Sequence, residues 1–597
     1  MFTDDKNAQV ILSLLKQYGI KKIVISPGTT NVPISRSVQL DPWFEVYSVV
    51  DERSAAYFAT GLAYESGEPV VISCTGATAS RNYLPGLTEA YYRNIPIIAL
   101  TSQHHTSDFG NLVAQVTDRT ISQNDIKKVA VELPVVKDNE DYERCVLAAN
   151  KALIAATTNG NGPVHINLQV VGDYSFTTNE IPQARKIEYV DTESIEQRAA
   201  SLSRMLHSKR AAVFIGAHRK FNESEQLALE RFATAYKVPV YIDHTSGYNG
   251  KNAILISQIV ALRQSKNKPG IVIDMGSITG DYTTDWLQGI ETWRLSEDGK
   301  IHDRFHHQVL LFDGPESMFF TALASQAGKQ VVDYHAEISS EVGELSVPID
   351  EMPLSNTYIS YLLAKNIPKH SNLHLGILNS LRNMNFFSLD PTVGASSNVG
   401  GFGIDGALST AIGQSMVNKD KLTFCLVGDL AAFYDMNALG IRHIGSNLRI
   451  ILINNNGGVE FRLNSKLETQ WADETDEFIS AGGHNGSMRA WAESRGFIYM
   501  SASSKEEIEK GISLFTSKNR TQFDAPVLYE VFTKIPDEQY GVIAIQDENK
   551  PSHEPEAAEV KEVSTDSPVF KQLIKEKIKK VTPKIAKETY RKIRGRE

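Results

Sequence analysis

Short runs rich in β-branched residues recur along this chain, and most of them are apolar at consecutive rather than alternate positions. The first 180 residues contain KKIVIS (21–26), VYSVV (46–50), PVVISC (69–74), IPIIALT (95–101) and GPVHINLQV (162–170). A strand half-exposed to water alternates apolar and polar residues, whereas one covered on both faces does not. Helical patterns separate the runs, so this block reads as a parallel sheet with helices on both sides. The pattern returns in AAVFIGA (211–217), VPVYID (238–243), PGIVIDM (269–275) and HQVLLFD (307–313). It returns again in HLGIL (374–378), LTFCLV (422–427), RIILIN (449–454) and APVLYEVF (525–532). The expected fold class is therefore α/β, with three successive parallel-sheet domains at 1–180, 195–345 and 357–540 and polar linkers at 175–194 and 347–356.

The end of the chain differs. Residues 541–567 are acidic and proline-containing, and are expected to be a disordered linker. In 568–597, Phe570, Ile574, Ile578, Val581 and Ile585 follow helical spacing among many lysines, with Pro583 interrupting. Residues 571–597 carry a net +8, so the other 570 residues carry −18. A body that acidic is a poor polyanion binder, and nucleic acid is not an expected partner. The tail has the composition of a solvated helix or of a peripheral contact with anionic lipid. Three unpaired cysteines suggest a reducing compartment, and no apolar run reaches the length of a membrane span. The expected location is the cytoplasm, with membrane association possible only through 568–597.

Two of the runs end in chemistry. In GDLAAFYDMNALGIRHIGSNLRIILINNNGG (428–458), LTFCLV leads into Gly428-Asp429 and RIILI leads into Asn454-Asn455-Asn456. Ligands of open α/β sheets bind beyond the carboxyl ends of strands. A carboxylate and an amide oxygen there suit Mg²⁺, and a helix starting at Asp429 would offer backbone N–H groups to a diphosphate. FYDMNALGIRHIG is long enough to serve as the single crossover helix. On spacing alone, two strand-ending turns explain the same residues equally well.

The stretch resembles the thiamine diphosphate motif, Gly-Asp followed some 25 residues later by Asn-Asn. That resemblance implies a metal held by Asp429, the Asn456 side chain and the Gly458 carbonyl. Gly428, Leu430 and Ala431 would lie against the diphosphate. VVDERSAAYFATGLAYESG (49–67) is similar to the family's N-terminal glutamate site. Glu52 would then hydrogen-bond N1′ of the aminopyrimidine and start the proton relay to the thiazolium, and an apolar slot would raise its pKa. Taken alone, Glu52 reads as a helix N-terminal charge beside Arg53. GGFGIDGALSTAIG (400–413) contains a formal GxGxxG, but no strong strand precedes it. It resembles the loop that seats an apolar wedge under the cofactor, which assigns that role to Ile404.

DERSAAYFATGLA, GDL, NNNGG and GIDGALSTAIG most resemble the 2-succinyl-5-enolpyruvyl-6-hydroxy-3-cyclohexene-1-carboxylate (SEPHCHC) synthases of menaquinone biosynthesis. The resemblance implies decarboxylation of a 2-oxo acid and its ligation to an acceptor. It also implies a homodimer or homotetramer with each active site between two subunits. Simple decarboxylation, and a non-enzymatic scaffold brought to a membrane by its tail, stand as alternatives. Departures from the family fall where substrate should bind. Ser26-Pro27-Gly28-Thr29-Thr30 lacks an arginine, as do Asn398-Val399-Gly400, Ser102-Gln103-His104-His105 and DMGSITGDY (274–282). Arginine forks are the usual carboxylate holders, so the acceptor is expected to differ. Candidate substrate residues are Thr30, His104, His105, Gln115, Ser380, Arg382, Glu460 and Arg462. His302, His306 and His307 read as a polar loop, and nothing in the central block requires FAD.

Overall fold

The computed structural model describes residues 1–119, 122–172, 174–328, 332–463, 483–519 and 522–551. Most of the tail, including all of 568–597, lies outside them. Residues 1–550 form one compact unit built on three sheets, and every strand pair in those sheets is parallel. The first sheet comprises β1 (Lys22–Ile25), β2 (Glu45–Ser48), β3 (Val70–Thr75), β4 (Ile97–Gln103), β5 (Val129–Leu133) and β6 (Val164–Gln169), in the order β2-β1-β3-β4-β6-β5. The second comprises β7 (Glu188–Asp191), β8 (Ala211–Ile215), β9 (Val240–Ile242), β10 (Ala253–Leu255), β11 (Ile271–Met275), β12 (Glu291–Ser296) and β13 (Gln308–Asp313), in the order β10-β9-β8-β11-β12-β13-β7. The third comprises β14 (Asn372–Leu375), β15 (Gly394–Ser397), β16 (Thr423–Gly428), β17 (Leu448–Asn454), β18 (Ile498–Ala502) and β19 (Val527–Phe532). Its order, β15-β14-β16-β17-β19-β18, repeats that of the first sheet position by position.

The continuous apolar runs have a direct structural reading. Phe424 and Leu426 of β16 enter the core on one face of the third sheet, while Cys425 and Val427 enter the core on the other. In β8, Ala211, Val213 and Ile215 face one layer and Ala212 and Phe214 the opposite one. Each fully buried aliphatic side chain contributes about 1.5–3 kcal/mol, so losing the apolar residue on either face would cost a layer its cohesion.

Three expectations are corrected. Glu188–Asp191, inside the stretch read as a linker, is the edge strand β7 paired with β13. Val190 at its centre is buried in the second core, which pays for ordering a polar segment. Residues 541–549 are not a disordered linker but continue a helix, Ile535–Asn549. Gly541, Ile545 and Asn549 repeat every four residues and are buried, and the Asn549 amide bonds Ser346 O at 2.9 Å. The crossover after β16 is not one long helix. It is a short helix, Asp429–Tyr434, followed by a 3₁₀ turn at Met436–Gly440. Asp435 breaks the helix because its carboxylate accepts from Ser409 N and Ser409 Oγ, both at 2.6 Å, at the start of the neighbouring helix Ala407–Val417.

Candidate active site

Asp429 is the first residue after β16 and is 2 % exposed. Its Oδ1 accepts from Leu430 N at 2.7 Å. Its Oδ2 accepts from Asn455 N at 3.0 Å and Gly457 N at 3.2 Å, both on the turn after β17. The register that pairs Gly428 with Ile453 brings the two strand ends together. Burial raises the Asp429 pKa above the usual carboxylate range, and those three N–H donors oppose the shift.

The three asparagines after β17 do different work. Asn454 is buried and donates to Glu530 Oε1 at 2.8 Å and Gly486 O at 2.9 Å, which ties β17 to β19 and to the segment around 486. Asn455 supplies its N–H to Asp429, and its own Oδ1 is buried without a hydrogen-bond partner among the described residues. Asn456 adopts the left-handed conformation (φ 67°) that asparagine tolerates, and is exposed. Gly458 follows on the same turn. Ile404 touches the cores on both faces of the third sheet and is half-buried between them.

Glu52 opens the helix Glu52–Ser66, next to its cap Asp51, whose side chain accepts from Ser54 N at 3.1 Å. Gly67 closes the helix in the left-handed conformation. Ala55, Ala56, Ala59 and Ala63 form its buried face. The helix Leu84–Tyr92 crosses it so closely at Gly86 that a Cβ there would come within 2.5 Å of Ala56 Cβ. Glu52 accepts from Asn82 Nδ2 at 3.3 Å and is half-exposed, so the described residues do not close the expected apolar slot around it.

Residues 5–130 match the family "Thiamine pyrophosphate enzyme, N-terminal TPP binding domain". Over 553 residues the chain is 31 % identical to the SEPHCHC synthase of Phocaeicola vulgatus, covering 89 % of this chain and 96 % of that protein. It is also 31 % identical to the SEPHCHC synthase of Bacteroides fragilis over 548 residues, covering 89 % and 97 %. Identity to that of Flavobacterium johnsoniae is 28 % over 552 residues, covering 88 % and 96 %.

The chain is a SEPHCHC synthase-like thiamine pyrophosphate enzyme.

In this thiamine pyrophosphate enzyme the sequence-selected residues fall into two sets. Gly428, Asp429, Leu430, Ala431, Asn456, Gly458, Ser380, Arg382 and Glu460 lie at the carboxyl edge of the third sheet. Glu52, Thr30, His104, His105 and Gln115 follow strands of the first. Among the described residues, no hydrogen bond or ion pair joins the two sets. Thr30 is buried with its Oγ1 unpartnered, beside Asn31, whose Oδ1 accepts from Ser73 Oγ at 2.8 Å and Ser102 Oγ at 3.2 Å. His104 is half-buried, and His105 Nδ1 pairs with Ser107 Oγ at 2.8 Å. Gln115 is exposed in a left-handed turn (φ 64°). Ser380 is buried on the helix Asn379–Met384, which also carries Arg382. The Arg462 side chain lies outside the described residues. His302 pairs with Asp298 at 3.5 Å, and no group of three His, Cys, Asp or Glu residues suited to a metal occurs among the described residues.

Several buried or partly buried polar residues near the two sets have no signal in the sequence. His484 Nε2 lies 3.2 Å from Asp429 Oδ2. Its N–H donates to Asn456 O at 3.0 Å, its Nδ1 accepts from Gly486 N at 3.1 Å, and its ring packs edge-on against Phe433 at 4.9 Å. Glu538 is buried, accepts from Asn356 N at 2.7 Å and Thr533 Oγ1 at 2.5 Å, and is pushed up to about 7 by that burial. On the first sheet Arg119 is buried against β4, donating to Thr101 Oγ1 at 2.8 Å and Gln103 Oε1 at 2.7 Å. No motif marks these three, because each is recruited from a loop or helix distant in sequence.

Proposed function

We propose that the chain decarboxylates a 2-oxo acid and joins the remaining fragment to an acceptor, using thiamine diphosphate and Mg²⁺ bound at the Asp429 turn. The carrying observation is the buried Asp429 carboxylate, which draws the turn after β17 around itself through two of its three backbone bonds. The donor set fits a hard cation: a carboxylate, the exposed Asn456 amide oxygen and the Gly458 carbonyl. A cation there would also offset the burial that raises the Asp429 pKa. When bound, thiamine diphosphate supplies the electron sink that loss of CO₂ requires.

The remaining roles belong to side chains of this protein. Ile404, seated between the two cores, would fix the shape of the cofactor bed. Gly428, Leu430 and Ala431 would lie along the diphosphate, with the Leu430 N–H already held by Asp429. Glu52, positioned by Asn82, would hold the proton on the aminopyrimidine side. Because no hydrogen bond or ion pair joins the Glu52 and Asp429 sets among the described residues, a second copy would complete each site. Val50, Tyr57, Phe58 and Tyr64, exposed on and beside the Glu52 helix, offer the apolar surface for that contact. Three buried, free cysteines suit a cytoplasmic setting.

The test is Glu52→Gln. It should bind thiamine diphosphate as the parent does and release no CO₂ from any 2-oxo acid the parent uses; full turnover refutes the role. Product analysis with and without an aldehyde acceptor separates ligation from simple decarboxylation.

A further inference from the structure

Arg382 and Glu460 lie 78 residues apart and meet at the carboxyl edge of the third sheet. Arg382 sits on the helix after β14, and Glu460 follows the turn after β17. β16, which leads into Asp429, runs between those two strands, so the pair flanks the proposed cofactor turn. Arg382 Nη1 donates to Glu460 Oε1. Its Nε donates to Gly280 O at 3.3 Å, and the guanidinium stacks on the Tyr282 ring at 4.2 Å. Each partner keeps one atom in reserve: Arg382 Nη2 and Glu460 Oε2 are both buried without a hydrogen-bond partner among the described residues.

A single-point ion pair is an unusual use of an arginine fork, which can engage both carboxylate oxygens at once. Two stranded atoms, one donor and one acceptor, are costly unless a ligand group meets them. A ligand carboxylate could accept from Nη2, but it would then stand beside the negative Oε2. A hydroxyl or a primary carboxamide accepts with one atom and donates with another, so it satisfies both. We propose that the substrate group received here is a neutral donor–acceptor group, a hydroxyl or carboxamide, with Glu460 as the residue that rejects a carboxylate. This rests on the proposed function only for placing the active site at this edge.

The test compares matched ligands differing only at that group. With the Mg²⁺- and thiamine diphosphate-loaded full chain, CO₂ release from 2-oxoglutaramate should exceed that from 2-oxoglutarate by about tenfold or more in kcat/KM. Succinamate and succinate, which cannot be decarboxylated, read the same preference as binding, followed by intrinsic fluorescence. Glu460→Leu frees Arg382 and should reverse both ratios in favour of the dicarboxylate. Glu460→Gln, which keeps the shape and loses the charge, should bring them near one. A parent that prefers the dicarboxylate in either readout overturns the proposal, as do ratios unchanged in both variants. Equal or absent binding of the two probes overturns it as well. If no CO₂ is released from any 2-oxo acid while the probes still discriminate as expected, the functional reading fails and this one stands.

Discussion

Replacing Glu538 with glutamine should flatten part of the pH dependence of stability. In the folded chain Glu538 keeps its proton up to about 7, against an ordinary value of 4.5. Burial is the main cause, and bonds from Thr533 and Asn356 oppose it. The folded pKa therefore lies above the unfolded one. Below about pH 4.5 both states carry the proton, and the full stability is present. As pH rises toward 7 the unfolded state ionises first and is favoured, so stability falls, and above 7 no more is lost. A shift of that size corresponds to about 3 kcal/mol between pH 4.5 and 7. Glutamine fits the same slot, with its oxygen accepting from Asn356 N and its amide donating to Thr533, but it cannot ionise. The assay is thermal unfolding of the cation-free, cofactor-free protein across pH 4.5–8, comparing parent and Glu538→Gln. Asp429 also has a raised pKa and its charge helps raise that of Glu538, so the difference between the two proteins reads Glu538 together with this coupling, which has the same sign. The midpoint difference should be near zero at pH 4.5 and grow to roughly 3 °C at pH 7.5 for the compact unit of residues 1–550 unfolding cooperatively. A difference that does not grow with pH refutes the reasoning.

Asp429→Ala strands the N–H groups of Leu430, Asn455 and Gly457. It should cost about 1–3 kcal/mol per stranded donor in stability and lower divalent-cation affinity more than about 100-fold, read by calorimetric titration. Gly86→Ala places a methyl against Ala56, one turn along the helix from Glu52. It should destabilise the chain by about 1–3 kcal/mol in denaturant unfolding and lower turnover with it, because the helix carrying Glu52 must shift.

The sheets were legible because burial on both faces leaves a mark at every position of a strand. β16 and β8 show that mark as alternate residues entering opposite cores. The edge strand β7 was hidden because only Val190 is deeply buried and its flanks are polar. The helix break after Tyr434 depends on Ser409, which local pattern cannot supply. Asp429 and the asparagine turn could be found because adjacent parallel strands place their ends side by side. His484 and Glu538 could not, since their only link to Asp429 is tertiary. Arg382 and Glu460 were both picked out singly, yet their pairing, which changes what each can bind, appears only in three dimensions.

The first and third sheets repeat one strand order, yet one domain carries the Glu52 set and the other the Asp429 set. Two such unlike halves on one polypeptide have a genetic consequence if a second copy completes each site. A Glu52→Gln chain and an Asp429→Ala chain would each be inactive alone. When mixed, every dimer holding one of each would gather both lesions into one site and leave the other intact. Random reassortment would then restore about a quarter of the parental activity from two dead proteins.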